Sequence, residues 1–173
     1  MELCDIYNEN REKTGRVHKR SQPLEDGEFL LVTGVWIVNS RNELLITKRA
    51  PEKRYMPNRW ENPAGHARAG ETGLQAMVRE LEEETGIRVQ PSELTLFAKT
   101  CKPFFLGEEY LLVKDVDLKD VRLQPGETCD VRWISEETLN RMIQNGEMSE
   151  SLGIKDPEVW AAFKNALKTR TNP

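Results

Sequence analysis

The sequence predicts an α/β chain, an α/β/α or α+β sandwich built round a mixed β-sheet. Three observations carry that prediction. A length of 173 residues suits one domain, 1–173, with its own hydrophobic core. Strand-like and helix-like segments are interleaved along it. Near the middle, residues 72–85 have the apolar spacing of a helix that packs on a sheet.

Taken in order, residues 2–7 alternate loosely and read as a short strand. Residues 8–27 are polar, carry Gly15, Pro23 and Gly27, and read as loop, so 1–28 is an N-terminal strand and loop. Residues 29–38 are rich in Val, Leu, Ile and Trp, the composition of a buried strand. Turn residues at 39–42 and a second apolar run at 44–48 predict a hairpin. Residues 51–60 are irregular, and 61–64 predict a short strand before a loop at Gly65. In the helix, Leu74, Met77, Val78 and Leu81 share a face, and Gly86 supplies the stop. Residues 94–102 and 110–116 predict strands, and 131–134 a short one. Ser135 caps a helix reaching Gln144. Asp156-Pro157 opens a last helix with the stripe Val159, Phe163 and Leu167, and the tail beyond is expected to fray. Trp36, Trp133 and Trp160 are expected in the core.

Composition narrows the function. Apolar residues make up 38% and charged residues 31%, and no apolar run approaches the ~20 residues that span a bilayer. The first residues lack a basic segment followed by an apolar one, so no secretory signal is expected. Cys4, Cys101 and Cys129 are far apart and fit a reducing, cytoplasmic setting rather than a zinc site or disulfides. A net charge of −4 does not suggest nucleic-acid binding.

Much of that acidity falls on one helix end. Glu80, Glu82, Glu83 and Glu84 lie within five residues, where like charges repel and the helix dipole disfavours acids. At about 100° per residue, Glu80 and Glu84 stack, Glu83 lies roughly 60° away and Glu82 points elsewhere. Three carboxylates beside the apolar stripe suit a hard divalent cation, Mg²⁺ or Mn²⁺, held together with substrate phosphates. A merely solvated acidic face is the plainer alternative. The glycines around it favour the first reading, because they let backbone approach phosphate or metal closely.

Residues 65–87 resemble the Nudix box, G-x5-E-x7-R-E-U-x-E-E-x-G-U, where U is aliphatic. Gly65, Glu71, Arg79, Glu80, Leu81, Glu83, Glu84, Gly86 and Ile87 fill every fixed position. Seven invariant residues at ordinary background frequencies coincide by chance on the order of once in a million chains of this length. The resemblance implies the Nudix fold and attack of water on a diphosphate, usually one linking a nucleoside to another group. It implies Glu83 and Glu84 as metal ligands, and Glu80 as a ligand or the general base. Arg79 would orient a box glutamate, the Ala64 carbonyl would complete the metal shell, and Glu71 would brace the loop. A further acid from outside the box is expected, with Glu108, Glu109 and Glu127 as candidates. No organic cofactor is implied. The implied partner is a small nucleoside-diphosphate-type substrate, with a homodimer common among relatives.

Residues 42–49 and 60–66 also resemble the isopentenyl-diphosphate-isomerase-like branch of that family. Isomerases need a cysteine where this chain has Pro63 and Ala64, and several histidines where it has only His18 and His66. Hydrolysis is therefore the expected reaction, and a catalytically silent ligand sensor is the second class. His66 is expected to serve the loop's structure. Pro103, sixteen residues after Ile87, matches a feature of ADP-ribose hydrolases. Lys48, Arg49, Lys53, Arg54 and Arg59 are candidates to hold phosphate. Phe104, Phe105 and Tyr110 are candidates to stack on a base, against a core role.

Overall fold

The structure, a computed structural model, describes residues 2–149 and 153–171. Its main sheet has strands β3 (Leu30–Val38), β4 (Leu44–Arg49), β5 (Trp60–Glu61), β6 (Ala64–His66), β7 (Thr95–Lys102), β8 (Phe105–Val113) and β9 (Thr128–Ile134). The path runs β5-β4-β3-β8-β7, with β6 added to β3 and β9 to β4. β3 and β8 pair in parallel from Leu30↔Phe105 to Val38↔Val113, and the other pairs are antiparallel. The sheet is therefore mixed, as predicted.

The pleat sends alternate residues of β3 to opposite layers. Val35 and Ile37 join Met77 and Leu81 of helix α1 (Gly73–Thr85). Trp36 and Val38 join Leu139 of α2 (Glu136–Gln144) and Val159 and Phe163 of α3 (Pro157–Thr171). Because both faces are covered, β3 reads as a near-continuous apolar run, broken only at Thr33-Gly34, and is buried along its whole length. Trp36 anchors the second layer, its ring 4.7 Å from Phe163 and 5.1 Å from Trp160. Trp133 is partly buried in the first layer and donates to the Val116 carbonyl.

Helix α1 forms where local chemistry agrees with packing. Thr72 and Gln75 make a reciprocal capping box, and Gly86 closes the helix in the left-handed region at φ 72°.

Some expectations are corrected. Residues 8–27 are not all loop: β2 (Lys13–Lys19) pairs antiparallel with β1 (Leu3–Tyr7) in a separate two-stranded sheet. Nearly every residue of β2 is exposed, so no apolar alternation marks it. The strand expected at 61–64 is two strands split at Asn62-Pro63, and Gly65 lies within β6, not in a loop. β8 starts at Phe105 rather than Tyr110, and β9 starts at Thr128. The last helix does not fray after Leu167 but continues to Thr171; Lys168 and Arg170 in its final turn suit the helix dipole. Residues 172–173 lie outside the described ones. Among the described residues, no helix is long and apolar enough to cross a membrane.

Candidate active site

One end of the sheet opens into a cavity of about 1420 Å³. Its acidic side is set by the C-terminal turns of α1. Glu80, Glu83 and Glu84 all line it, as do Ala64, Gly65 and His66 of β6. Glu80 and Glu84 turn inward and are buried, while Glu83 is half-exposed. Glu82 faces away and pairs with Arg88 at 2.7 Å, as the helical projection requires.

The glycine at position 65 has a steric cause. A Cβ there would collide with the Glu80 carboxylate, so only glycine lets β6 pack under that side chain.

Arg79 organises the acids. Its Nε and Nη2 donate to the two Glu71 oxygens at 2.8 Å each. Its Nη1 donates to Glu80 at 2.7 Å and to Glu83 at 3.2 Å, and Nη2 also reaches the His66 carbonyl at 3.0 Å. Burial opposes its charge, and the bonds to Glu71 and Glu80 more than restore it. Glu71 in turn accepts from the Arg68 backbone N–H at 2.9 Å, bracing the turn before the helix. The hydrogen bond from Arg79 holds the Glu71 carboxyl below its ordinary range.

The other pocket acids carry their own cations. Arg49 bonds Glu61 at 2.7 Å, Lys53 pairs with Glu127, and Arg68 reaches Glu83 at 3.2 Å. Among the described residues no three acids, histidines or cysteines stand at metal-ligand spacing. Glu84 differs. It is buried, and its carboxyl has neither a hydrogen-bond nor an ion-pair partner among the described residues. Burial, then the charges of Glu61, Glu80 and Glu127, push that carboxyl up to about 8. Burial likewise raises Glu80, against the bond from Arg79. An unpaired carboxylate ringed by three others is a hard, all-oxygen donor set, which fits a divalent cation such as Mg²⁺ or Mn²⁺.

The candidate outer acids separate cleanly. Glu127 lies in the cavity. Glu108 accepts from the Tyr110 hydroxyl at 2.8 Å and faces Arg11 and Lys99, outside it. Glu109 is fully buried in the sheet, where Trp36 Nε1 donates to one oxygen at 3.0 Å and the other has no hydrogen-bond partner among the described residues. Glu61 joins the cavity without having been singled out from sequence. The available signal was an acid inside an otherwise apolar strand pair, Trp60-Glu61.

Glu109 gives a pH prediction. Burial raises its carboxyl to about 7, against the Trp36 bond. Its folded value lies above the unfolded one, so the folded state binds the extra proton between about 4.5 and 7. Stability therefore falls as pH rises through that window. The shift corresponds to about 3 kcal/mol. Glu109→Gln cannot titrate, so its stability relative to the parent improves by about that amount from pH 5 to pH 8. Urea unfolding in EDTA at both pH values measures this, and parallel curves would refute it.

Of the candidate cations, Arg49 and Lys53 line the cavity. Lys48 sits over the Trp60 ring at 5.8 Å, and Arg59 bonds the Gly146 carbonyl. Trp60 is buried in the second core layer beneath Arg132 and does not line the cavity. His66 lines it, largely buried and edge-on to Phe105 at 5.7 Å. Burial, then the charge of Arg20, lowers its imidazole to about 4, so it is neutral at pH 7. Tyr110 is core, as aromatics in strands usually are, whereas Phe104 and Phe105 are exposed on the cavity wall. Pro103 has a local reason to be where it is: it leads a two-residue turn between β7 and β8.

Known proteins resemble this chain in sequence and in fold. A family model described as the NUDIX domain matches residues 28–152. An uncharacterized Nudix hydrolase of Listeria monocytogenes is 41% identical over 150 residues, covering 85% of this chain and 88% of its own. An isopentenyl-diphosphate Delta-isomerase of Escherichia coli is 32% identical over 81 residues, covering 46% of this chain and 44% of its own. The crystal structure of DR0079 from Deinococcus radiodurans superposes with a TM-score of 0.72 at 25% identity, covering 86% of this chain and 92% of that one.

Proposed function

The chain belongs to the Nudix family, and from that premise we propose that it is a divalent-metal-dependent hydrolase of a diphosphate that links a nucleoside to a second group. The observation that carries the reading is the buried, unpartnered Glu84, set among Glu61, Glu80 and Glu127 in a large cavity. Glu80, Glu83, Glu84 and the Ala64 carbonyl would hold Mg²⁺ or Mn²⁺, with Glu127 as the outer acid. A bound cation supplies charge neutralisation on the phosphates and a more acidic water.

The chain's own residues set up the attack. Arg79 fixes one Glu80 oxygen and leaves the other to act on water or cation. Arg49 and Lys53 stand on the same wall, where they stabilise charge on the departing phosphate once their acids turn to the cation. Water attacks one phosphorus, the bridging P–O bond breaks, and the two phosphates leave as monoesters.

The isomerase reading has no residue to carry the carbon proton, because Pro63 and Ala64 stand where the cysteine is needed. Incubation with a panel of nucleoside-diphosphate-linked compounds should release a nucleoside monophosphate with Mg²⁺ and none with EDTA. No turnover across the panel, with tight ligand binding retained, would instead mark a sensor.

A further inference from the structure

The turn before α1, residues 68–71, carries Glu71, the acid that receives Arg79, yet it has little packing of its own. Arg68, Ala69 and Gly70 are exposed. Gly70 turns the chain at φ 89°, with open space where a side chain would stand. Such a segment belongs to the low-stability end of a structure unless polar contacts hold it. Its internal bonds, between Arg68 and Glu71, close the turn but do not fix it to the rest of the protein.

The fixing contacts come from the N-terminal hairpin of β1 and β2, which precedes the residues that the family model matches. The hairpin meets the four turn residues one after another. Glu2 pairs with Arg68 at 3.5 Å, and the Leu3 carbonyl accepts from the Ala69 N–H at 2.8 Å. The Asp5 carboxylate accepts from the Gly70 N–H at 2.9 Å, and Lys13 donates to the Glu71 carbonyl at 3.4 Å. Lys13 also pairs with Asp5 at 2.6 Å, which fixes the acceptor that faces Gly70. The hairpin is itself anchored on the main sheet. Tyr7 and Phe29 exchange backbone bonds, and Arg11 at the hairpin tip donates to the Thr100 and Gly107 carbonyls at 3.1 and 2.9 Å.

These contacts connect to the acids. The Glu71–Arg79 fork is directional, so a displaced Glu71 swings the guanidinium that also holds Glu80 and Glu83. Groups one step behind a metal ligand set its orientation, and their loss costs about 10–100-fold in affinity or activity.

We propose that Asp5, fixed by Lys13, is a positioning residue for the cation site: through the Gly70 N–H it holds the turn that aims Glu71 at Arg79, and so sets where Arg79 places Glu80 and Glu83. This rests on the hydrolase reading but is tested separately from it.

The test uses the full chain and Mn²⁺ as the probe, its affinity read without substrate from water-proton relaxation. Asp5→Ala should weaken Mn²⁺ about tenfold. At a fixed Mg²⁺ concentration, on the panel compound that the parent cleaves fastest, kcat should fall about as far while KM stays within about twofold. Asp5→Asn keeps an oxygen acceptor for Gly70 and should restore most of both. Arg11→Ala loosens the same hairpin at its tip, away from the turn, so it should lower Tm and leave Mn²⁺ affinity unchanged. A hairpin that serves only the fold would make Asp5→Ala and Arg11→Ala alike. The proposal fails if Asp5→Ala binds Mn²⁺ as the parent does, or if Asp5→Asn is as impaired as Asp5→Ala. Should Asp5→Ala not fold, Lys13→Met unpins the same carboxylate from an exposed position, and parent-like Mn²⁺ affinity there overturns the proposal. A parent that binds no Mn²⁺ and cleaves nothing in the panel overturns the hydrolase reading and this one together. A parent that does both, beside a parent-like Asp5→Ala, overturns this one alone.

Discussion

Glu84→Gln lowers turnover by at least about 10²–10³-fold, the cost of deleting one fixed electrostatic group at a reacting centre. The substitution keeps shape and removes only charge. In the metal-free protein burial beside Glu61, Glu80 and Glu127 pushes that carboxyl up to about 8, so at pH 7 the folded chain must take up a proton that the unfolded chain does not hold, at a cost in stability. A neutral amide in its place removes that cost, so the variant's Tm in EDTA should match or exceed that of the parent. Activity and stability should therefore move in opposite directions. With Mg²⁺ added the parent should be stabilised by mass action and the variant far less. Steady-state kinetics and thermal unfolding, each with and without Mg²⁺, measure both. A fully active variant, or one that unfolds like a core mutant, would remove Glu84 from the proposed ligand set.

Arg79→Ala is the second large effect, and here stability and activity fall together. The guanidinium serves Glu71, Glu80, Glu83 and the His66 carbonyl at once. Deleting it strands acids in a mostly buried setting, at a cost of about 3 kcal/mol. That is the low end for a broken buried pair, because Glu71 and Glu83 still reach water. Arg79→Lys restores one charge but not the fork that spans four acceptors, so it should recover only part of either property. Urea denaturation and turnover on the same preparations measure this. An alanine variant as stable as the parent would mean that the network is ornamental.

What the sequence made legible is what local rules encode. Thr72, Gln75, the apolar stripe and Gly86 specify α1 within one segment, so its limits and the bearing of Glu82 are readable. β3 is readable from a near-continuous apolar run and β4 from its apolar start, Leu44-Leu45-Ile46, the two joined by turn residues. β2 is not, because an exposed hairpin strand needs no apolar face. Its pairing with β1 and the hold of Lys13 on Asp5 do the specifying. The start of β8 was masked by Glu108 and Glu109, one of which is buried against Trp36 in defiance of its charge. Glu61 escaped because its nearness to Glu84 depends on β4 and β5 pairing, which no spacing along the chain records.

The parallel union of β3 and β8 also sets a clock. Every rung of that ladder, from Leu30↔Phe105 to Val38↔Val113, joins residues 75 apart in the chain. Loop closure must come before any rung contributes, which places the protein among the slower folders, milliseconds to seconds rather than microseconds. The acidic helix and β6 lie inside that loop, while the aromatic turn lies at its far end. A chain emerging from the ribosome therefore exposes its carboxylate-bearing segment before the turn at Pro103-Phe104 has been made.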